Sequence, residues 1–349
     1  MQFALTQEQE MIVETARGIM ADFRPSLRST IESADGFDRA QWRTLTGELG
    51  LGALALPADL GGAGLGLVEL SLVALEMGRA LFPSPYLTSI GAGLALLRHC
   101  GSDEQVARHA SVIASGESIA AIASGARLRL ENGKLSGEAL VAFGHVADVL
   151  IVLADRQALL VPTGGLRIER LTSMDLSRPL ARIGFDGAPA EPMPRADGAD
   201  RALDEARVAL AAECVGGADA ALAMTVDYSQ QRIQFGRPIG SFQALKHRMA
   251  DMMIGVEAAR SAVHYAAASH DEASDEAASA AAIAHFTAIE TFGDCAAGMI
   301  QIHGGMGFTW EHDAHLYFKR ARGSATLFGT PAESRARLAK MLGLDEEDQ

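Results

Sequence analysis

The sequence has few cysteines and no long apolar run. Its three cysteines, Cys100, Cys214 and Cys295, are far apart in the chain. Neither a disulfide framework nor a metal-binding spacing is therefore predicted, and all three are expected to be small buried residues within helices. No run of eighteen apolar residues occurs, and residues 1–6 lack the basic and then apolar pattern of a secretory signal. We expect a cytoplasmic protein that does not span a membrane.

Positive charge is also scarce. The 349 residues include 30 Lys and Arg against 44 Asp and Glu, which gives a net charge of −14. A nucleic-acid or anionic-membrane partner requires a sustained basic surface, so neither class of partner is expected. The basic residues that do occur form local groups within residues 232–248 and 319–322. Such groups can bind phosphate or lie on a solvated helix face.

The most informative stretch, residues 232–243, lies between two long helix-forming runs. Gly236, Pro238 and Gly240 interrupt a helix there, and Ser241 is expected to cap the helix that follows. The stretch concentrates arginine, glutamine and phenylalanine. This composition suits an anionic, flat ligand, because arginine pairs with phosphate and phenylalanine presents a ring face. A simple turn between two helices, with solvated arginines, is the alternative interpretation.

Two motifs resemble those of a known family. Residues 232–243 read R-I-Q-F-G-R-P-I-G-S-F-Q, and residues 301–307 read Q-I-H-G-G-M-G. In this order and at this separation they resemble the flavin-binding signatures of the acyl-CoA dehydrogenase family, and the glycine-rich residues 57–65 are similar to a third stretch of it. The resemblance implies FAD as the cofactor, commonly bound across a dimer interface. It implies these cofactor-binding residues: Arg232, Gln234, Phe235, Gln301, Gly304, Gly305 and Thr330.

The patterning and the resemblance together predict a mainly α fold with a small β domain. Capping boxes are predicted at Thr6 and Thr330, and long helices at residues 204–231, 241–269 and 273–302. Short β-type runs are confined to the middle of the chain. The predicted domains are a helical N-terminal domain at residues 1–117, a small β domain at residues 118–200, and a C-terminal helical bundle with the FAD-binding motifs at residues 201–349.

The predicted β domain departs from the family's pattern. Leu140 and Phe143 stand where the family usually places a tryptophan and a hydroxyl residue beside the flavin ring. The domain is also short. These differences predict a reduced contribution of this domain to binding the flavin ring.

The usual catalytic base of the family has no counterpart here. Counted from Gln301, the glutamate of the family's Y-E-G-T motif falls on Phe328, which cannot accept a proton. Some members carry the base on the helix before the arginine motif, and that position is Ala206. Its neighbour Glu205 is the candidate base. However, one residue along a helix turns a side chain by about 100°, and an acidic residue also stabilises the first turn of a helix.

Three other residues are weaker candidates for proton transfer. Glu213 lies two turns beyond Glu205 and can point along the same side of the helix. His303 and His247 are of a suitable type, but histidines at a helix end or on a polar face are interpreted as structural. No metal ligand is predicted.

The resemblance implies α,β-dehydrogenation of an acyl-CoA thioester. A carboxylate removes the α-proton, hydride passes from the β-carbon to flavin N5, and electrons pass to an electron-transfer flavoprotein. The first hypothesis is an FAD-dependent acyl-CoA dehydrogenase whose base is in a non-standard place or comes from a partner. The second is a non-catalytic subunit that completes a partner's FAD site, as in the family's branch acting on steroid side chains. The third is a helical scaffold without flavin.

Both flavin hypotheses imply a homo- or hetero-oligomer, either a dimer or a tetramer. The acyl chain, whether fatty or steroid-bearing, is not specified by the sequence.

Overall fold

The computed structural model describes residues 4–125 and 127–344. Within these ranges the helices are α1 (Gln7–Phe23), α2 (Leu27–Glu32), α3 (Arg39–Arg43), α4 (Leu67–Ala80), α5 (Ala95–Cys100), α6 (Asp103–Ala114), α7 (Ala199–Gln231), α8 (Gln243–Asp271), α9 (Ala277–His303), α10 (Ala314–Ser324) and α11 (Pro331–Met341). The strands are β1 (Ala120–Ser124), β2 (Arg129–Glu131), β3 (Lys134–Ala142), β4 (Val149–Ala154), β5 (Gln157–Pro162), β6 (Arg167–Leu171), β7 (Leu180–Pro189), β8 (Glu191–Met193), β9 (Ile233–Gln234) and β10 (Arg237–Pro238). This element order confirms the predicted mainly α fold with a small β domain.

The described chain divides into two compact units. The first takes the residues up to Pro25, Ser71–Phe82 and the residues from Arg207 onward, and the second takes Ser26–Leu70 and Pro83–Ala206. The first unit thus combines parts of the predicted N-terminal and C-terminal domains. Within it, the Tyr317 hydroxyl of α10 donates a hydrogen bond of 2.7 Å to the carbonyl of Arg79 in α4.

A close crossing of α4 and α7 organises the first unit. A Cβ on Gly216 would lie 1.8 Å from the carbonyl oxygen of Leu75, and a Cβ on Gly78 would lie 1.9 Å from the carbonyl oxygen of Glu213. These separations are far below van der Waals contact, so only glycine permits the two backbones to approach this closely. The contact fixes the position of α7, at whose end the arginine motif begins.

The apolar middle of the chain's longest helix is buried. Of the described helices, one stretch, Ala196–Gln231, is long and apolar enough to cross a membrane by those criteria alone, and 78% of its most apolar window is buried inside the protein. Burial of this kind is typical of a core helix. Cys214 of this helix is buried, as are Cys100 and Cys295, which confirms the prediction of small buried residues.

The second unit contains two four-stranded sheets that share one core. One sheet has the order β1-β4-β5-β8, with β1 parallel to β4 and the other pairs antiparallel. The other has the order β2-β3-β7-β6 and is antiparallel throughout. Leu150 and Val152 of the first sheet form one apolar cluster with Val141 and Ile183 of the second.

Two long strands of these sheets were not predicted. β3 carries a bulge at Gly137, where φ is +120°, and β7 contains Gly184 and Gly187. The glycines hide the alternation of apolar and polar residues that identifies a strand from sequence. The third unpredicted strand, β8, is only three residues long.

The predicted helix starts are partly correct. Capping boxes at Thr6 and Thr330 are confirmed. The predicted cap at Ser241 is wrong, because α8 begins at Gln243 without a side-chain cap. The Ser241 hydroxyl instead donates to the carbonyl of Pro238 at 2.7 Å, within a short 3-10 turn.

The α4–α7 crossing predicts that alanine at Gly216 destabilises the protein, whereas alanine at a glycine outside the crossing does not. Gly216→Ala is expected to lower the free energy of unfolding by about 3 kcal/mol, because a backbone carbonyl occupies the space of the new methyl group. Gly293→Ala is the matched control, since a Cβ at this position in α9 meets nothing within 4 Å. It is expected to raise stability by about 0.5–1 kcal/mol. Urea-induced unfolding measures both, and a Gly216→Ala variant as stable as the wild type would contradict the crossing.

Candidate functional site

The arginine motif forms a tight hairpin at the end of α7. β9 and β10 pair antiparallel, with Gln234 opposite Arg237. The two residues between them, Phe235 and Gly236, have φ values of +52° and +77°, as in a type I′ turn. Phe235 is consequently held at the tip of the hairpin, where its side chain is 91% exposed.

The hairpin is folded back onto α7. The amide of Ile239 donates to the carbonyl of Arg232 at 2.8 Å. A Cβ on Gly240 would lie 2.7 Å from the Oγ of Ser229, so glycine is required where the returning chain meets the helix. These contacts keep the Arg232 side chain close to the last turn of α7.

The diglycine motif is joined to the same turn of α7. The ring of His303, the last residue of α9, stacks on Tyr228 with the ring centroids 4.2 Å apart and the planes at 21°. The Tyr228 hydroxyl also donates to the carbonyl of His303 at 3.4 Å. Gly304 then takes φ +62° and ψ −141°, a conformation that is essentially restricted to glycine. The chain leaves α9 at this point and continues as a short 3-10 helix, the diglycine loop Gly304–Phe308.

Together the hairpin and the diglycine loop line one cavity of about 570 Å³. Its walls contain six of the residues predicted to bind the cofactor: Arg232, Gln234, Phe235, Gln301, Gly304 and Gly305. Apolar side chains complete it: Tyr228, Ile239, Phe242, Leu245, Ile302 and Met306, with His303. Two motifs some seventy positions apart in sequence thus meet in a single chain.

The cavity has the chemistry that a phosphate-bearing aromatic ligand requires. In the part of the chain that the structure describes, no carboxylate forms an ion pair with Arg232, so its guanidinium is available to an anion. A Cβ on Gly304 or Gly305 would meet nothing within 4 Å. The missing side chains therefore leave open space that a ligand can occupy. These features fit the adenosine diphosphate half of FAD.

His303 contributes a neutral ring to this cavity. Its Nδ1 lies 2.8 Å from the carbonyl oxygen of Met299, and since a carbonyl only accepts, Nδ1 carries the proton. Burial lowers the pKa of His303, and neighbouring His312 lowers it further, against the opposing effect of the Met299 hydrogen bond. Positive charge in the cavity wall at neutral pH therefore comes from Arg232.

Glu205, the candidate base, lies in the second unit within a group of basic residues. One carboxylate oxygen accepts a hydrogen bond of 2.7 Å from Arg98, and the other lies 2.7 Å from Nε2 of His99. Both partners are at the end of α5, and the Glu205 side chain is only 9% exposed. An adjacent guanidinium stabilises the ionised carboxylate, which opposes proton uptake. This geometry favours a structural role for Glu205, in which its contacts with Arg98 and His99 join α7 to α5.

Glu213, the second candidate, is paired in the same way within the first unit. Its carboxylate accepts from Arg320 of α10 at 2.9 Å, and the side chains are 6% and 2% exposed. A buried pair of this kind costs desolvation of both charges and is maintained by their mutual attraction. Glu213 is therefore interpreted as a link between α7 and α10.

The usual base position is occupied as the sequence predicts, by a side chain that cannot titrate. Phe328 has a left-handed φ of +59° and is followed by Gly329 at φ +110°. The Nε of Arg207 donates to the Phe328 carbonyl at 3.0 Å. Next in the chain, the Thr330 hydroxyl accepts from the amide of Glu333 as the cap of α11. Neither Phe328 nor Thr330 lines the cavity, and a cofactor contact by Thr330 remains a prediction.

The two atypical residues of the β domain occupy different environments. Leu140 on β3 is 59% exposed, whereas Phe143 is 2% exposed and its ring packs edge-on against Phe37 at 6.0 Å. Neither side chain supplies the indole or the hydroxyl group that the family usually places at the flavin ring.

The stack between Tyr228 and His303, which joins the two motifs, was not predicted from the sequence. Tyr228 lies four residues before Arg232, a spacing that places two helical residues on one face, and His303 lies inside the diglycine motif. The sequence therefore places Tyr228 near Arg232 and His303 beside the two glycines. That the two rings meet depends on how α7 and α9 pack, which no local pattern specifies.

Known acyl-CoA dehydrogenases are similar to this chain along nearly its whole length. The model of the acyl-CoA dehydrogenase N-terminal domain matches residues 6–117, and that of the C-terminal domain matches residues 197–343. The acyl-CoA dehydrogenase IpdE2 of Mycobacterium tuberculosis is 38% identical, over 95% of this chain and 96% of its own length.

Two solved structures are also similar. The ChsE4-ChsE5 complex from Mycobacterium tuberculosis matches with a TM-score of 0.87 and 27% identity, covering 100% of both chains. A variant of the Tcur3481-Tcur3483 steroid ACAD matches with a TM-score of 0.85 and 28% identity, covering 97% of this chain and 98% of that one.

The buried Glu213–Arg320 pair predicts a large effect on stability. Glu213→Gln removes the carboxylate of the buried ion pair with Arg320 and is expected to lower the free energy of unfolding by about 3 kcal/mol. Glu290→Gln is the control, because it removes a carboxylate from the exposed Glu290–Arg335 pair and is expected to cost less than about 1 kcal/mol. Equal shifts in the urea midpoints of the two variants would show that the buried pair has no special role.

Proposed function

This chain belongs to the acyl-CoA dehydrogenase family of oxidoreductases, and we propose that it is one subunit of a heteromeric FAD-dependent acyl-CoA dehydrogenase. In this proposal the chain binds the adenosine half of FAD and thereby completes the site of a partner that supplies the catalytic base. The observation that carries the proposal is the cavity shared by the hairpin and the diglycine loop, in a chain whose candidate bases are ion-paired.

The residues of the cavity have distinct tasks in binding. Arg232 pairs with the pyrophosphate through charge-assisted hydrogen bonds. The bare backbone at Gly304 and Gly305 lets the ligand approach closely, and the amides of Gln234 and Gln301 offer both donors and acceptors. When bound, the flavin supplies the acceptor for the substrate's hydride, while the protein orients it.

Proton abstraction requires a group whose pKa lies near the working pH. Phe328 and Ala206 occupy the two positions at which the family carries its base, and neither can titrate. Glu205 and Glu213 both have guanidinium partners, which stabilise their ionised forms. This set of residues supports a base from another polypeptide more strongly than a base within this chain.

The exposed apolar residues around the hairpin support an assembly with another chain. Phe235 is 91% exposed and Ile233 is 53% exposed. Large apolar side chains grouped on a surface are typical of protein interfaces. The similar ChsE4-ChsE5 structure is of a complex, which is consistent with a heteromer.

The substrate is proposed to be an acyl-CoA thioester, with electrons passed to an electron-transfer flavoprotein. The similar Tcur3481-Tcur3483 structure is described as a steroid ACAD. A steroid-bearing acyl-CoA is therefore the first substrate to test, and a fatty acyl-CoA of comparable length is the comparison.

The proposal predicts that flavin binding depends on assembly. The chain is purified alone and together with the product of a neighbouring gene of the same family, and the visible absorption spectrum and dye-coupled acyl-CoA oxidation are recorded. Flavin and activity are expected only in the mixed sample, and Arg232→Gln is expected to lower its flavin content. A yellow, active lone chain would instead support a self-sufficient dehydrogenase. Samples that both lack flavin would support a helical scaffold.

A second prediction concerns Glu205. In the active heteromer, Glu205→Gln is expected to leave kcat within about twofold of the wild type, whereas loss of a general base typically lowers it by about 10²–10⁴-fold. The same variant is expected to be less stable, because Arg98 and His99 lose their carboxylate partner. A normal unfolding midpoint combined with a hundredfold loss of kcat would identify Glu205 as the base.

A further inference from the structure

A second arginine lies beside the cavity without a carboxylate partner. Arg248 is in the second turn of α8, and its Nε lies 3.7 Å from the position that a Cβ on Gly298 of α9 would occupy. Its side chain therefore lies against the face of α9 at a residue that presents no side chain of its own. In the described part of the chain it forms no ion pair, although Asp251 is only one turn further along α8.

The positions of Arg248 and Gly298 relate directly to the cavity. Leu245 and Gln301 both line it. Arg248 follows Leu245 by three residues on α8, and Gly298 precedes Gln301 by three residues on α9, so each pair shares one helix face. Along the axis of α8, Arg248 thus lies roughly 4.5 Å beyond Leu245 of the cavity wall.

The direction of the side chain favours a contact with the cavity. Side chains on an α-helix tilt toward its N-terminus, and the N-terminal end of α8 is the end that lines the cavity. An extended arginine spans about one helical turn, so its guanidinium can reach the cavity rim. The side chain shares the space beside Gly298 with Met252 of the same helix, whose Sδ lies 3.0 Å from the Cβ position.

The other arginine of the region is already engaged. The Arg237 guanidinium lies 4.2 Å from the centre of the Phe242 ring, a cation–π contact that occupies its face. Arg232 and Arg248 are therefore the two guanidinium groups near the cavity with neither a carboxylate nor a ring contact in the described residues.

We propose that Arg248 is a second phosphate-binding residue of the cavity, so that Arg232 and Arg248 together bind a pyrophosphate, one phosphate each. The inference rests on the proposed function, because it assigns a residue to the same nucleotide site. It predicts selectivity for a diphosphate over a monophosphate, since the second contact exists only when the second phosphate is present.

The test compares the binding of ADP and AMP, by isothermal titration calorimetry, to the flavin-free assembly of this chain with its partner, because flavin binding is expected only in the assembled form. Arg248→Gln is expected to weaken ADP binding about tenfold or more, in line with the loss of one charge-assisted hydrogen bond, and to leave AMP binding close to that of the wild type. Arg322→Gln is the matched control, because this arginine of α10 lies over the Phe318 ring and does not line the cavity. It is expected to change neither affinity.

The remaining outcomes separate the two proposals. If wild-type protein binds ADP and Arg248→Gln binds it equally well, or if Arg248→Gln weakens ADP and AMP to the same extent, the role of Arg248 is overturned while the nucleotide site stands. If the wild-type assembly binds neither nucleotide at millimolar concentration, both the nucleotide site and the role of Arg248 are overturned.

Discussion

The candidate site depends on the stack between Tyr228 and His303. Each of the two sequence motifs alone would simply terminate a helix. The arginine motif ends α7 with a hairpin, and the diglycine motif ends α9 with a pair of glycines. The stack, at 4.2 Å between the ring centroids, holds the end of α7 against the end of α9, and the two endings then enclose one cavity. Aromatic stacking contributes about 0.5–1.5 kcal/mol beyond the burial of the rings. Its larger consequence is positional, because it places Arg232 across from an open glycine wall.

The two candidate bases on α7, Glu205 and Glu213, are placed to form ion pairs. A carboxylate that removes a proton has to be ionised yet basic, and a guanidinium at hydrogen-bond distance favours ionisation at the expense of basicity. Glu205 and Glu213 both have such partners and are buried. They are suited to joining helices through α7. Under the proposed function, the same helix ends in the hairpin that binds the nucleotide and carries these two carboxylates as structural links, which separates cofactor binding from proton abstraction.

The sequence predicts those features that depend on nearby residues. The capping boxes at Thr6 and Thr330 and the turn at Gly236 follow from local hydrogen bonds and backbone preference, and all three occur. The predicted cap at Ser241 was wrong because Ser241 belongs to a short 3-10 turn and α8 begins only at Gln243, after Phe242. The partners of Glu205 were not predictable, because Arg98 and His99 are more than a hundred positions away in the chain. Which distant groups meet depends on packing, as at the Gly216 crossing, and no residue pattern encodes it directly.

The charge and the apolar surface of the hairpin have a common explanation under the proposed function. The chain carries a net charge of −14, yet Arg232 and Arg248 form no ion pairs in the described residues, and Phe235 at the hairpin tip is 91% exposed. A pyrophosphate would neutralise the guanidinium groups, and a partner chain would cover the ring. Because Arg232 and Phe235 both belong to one short hairpin, each event would stabilise the conformation that the other requires. Linkage then makes the coupling reciprocal: FAD strengthens assembly by the same factor by which assembly strengthens FAD binding.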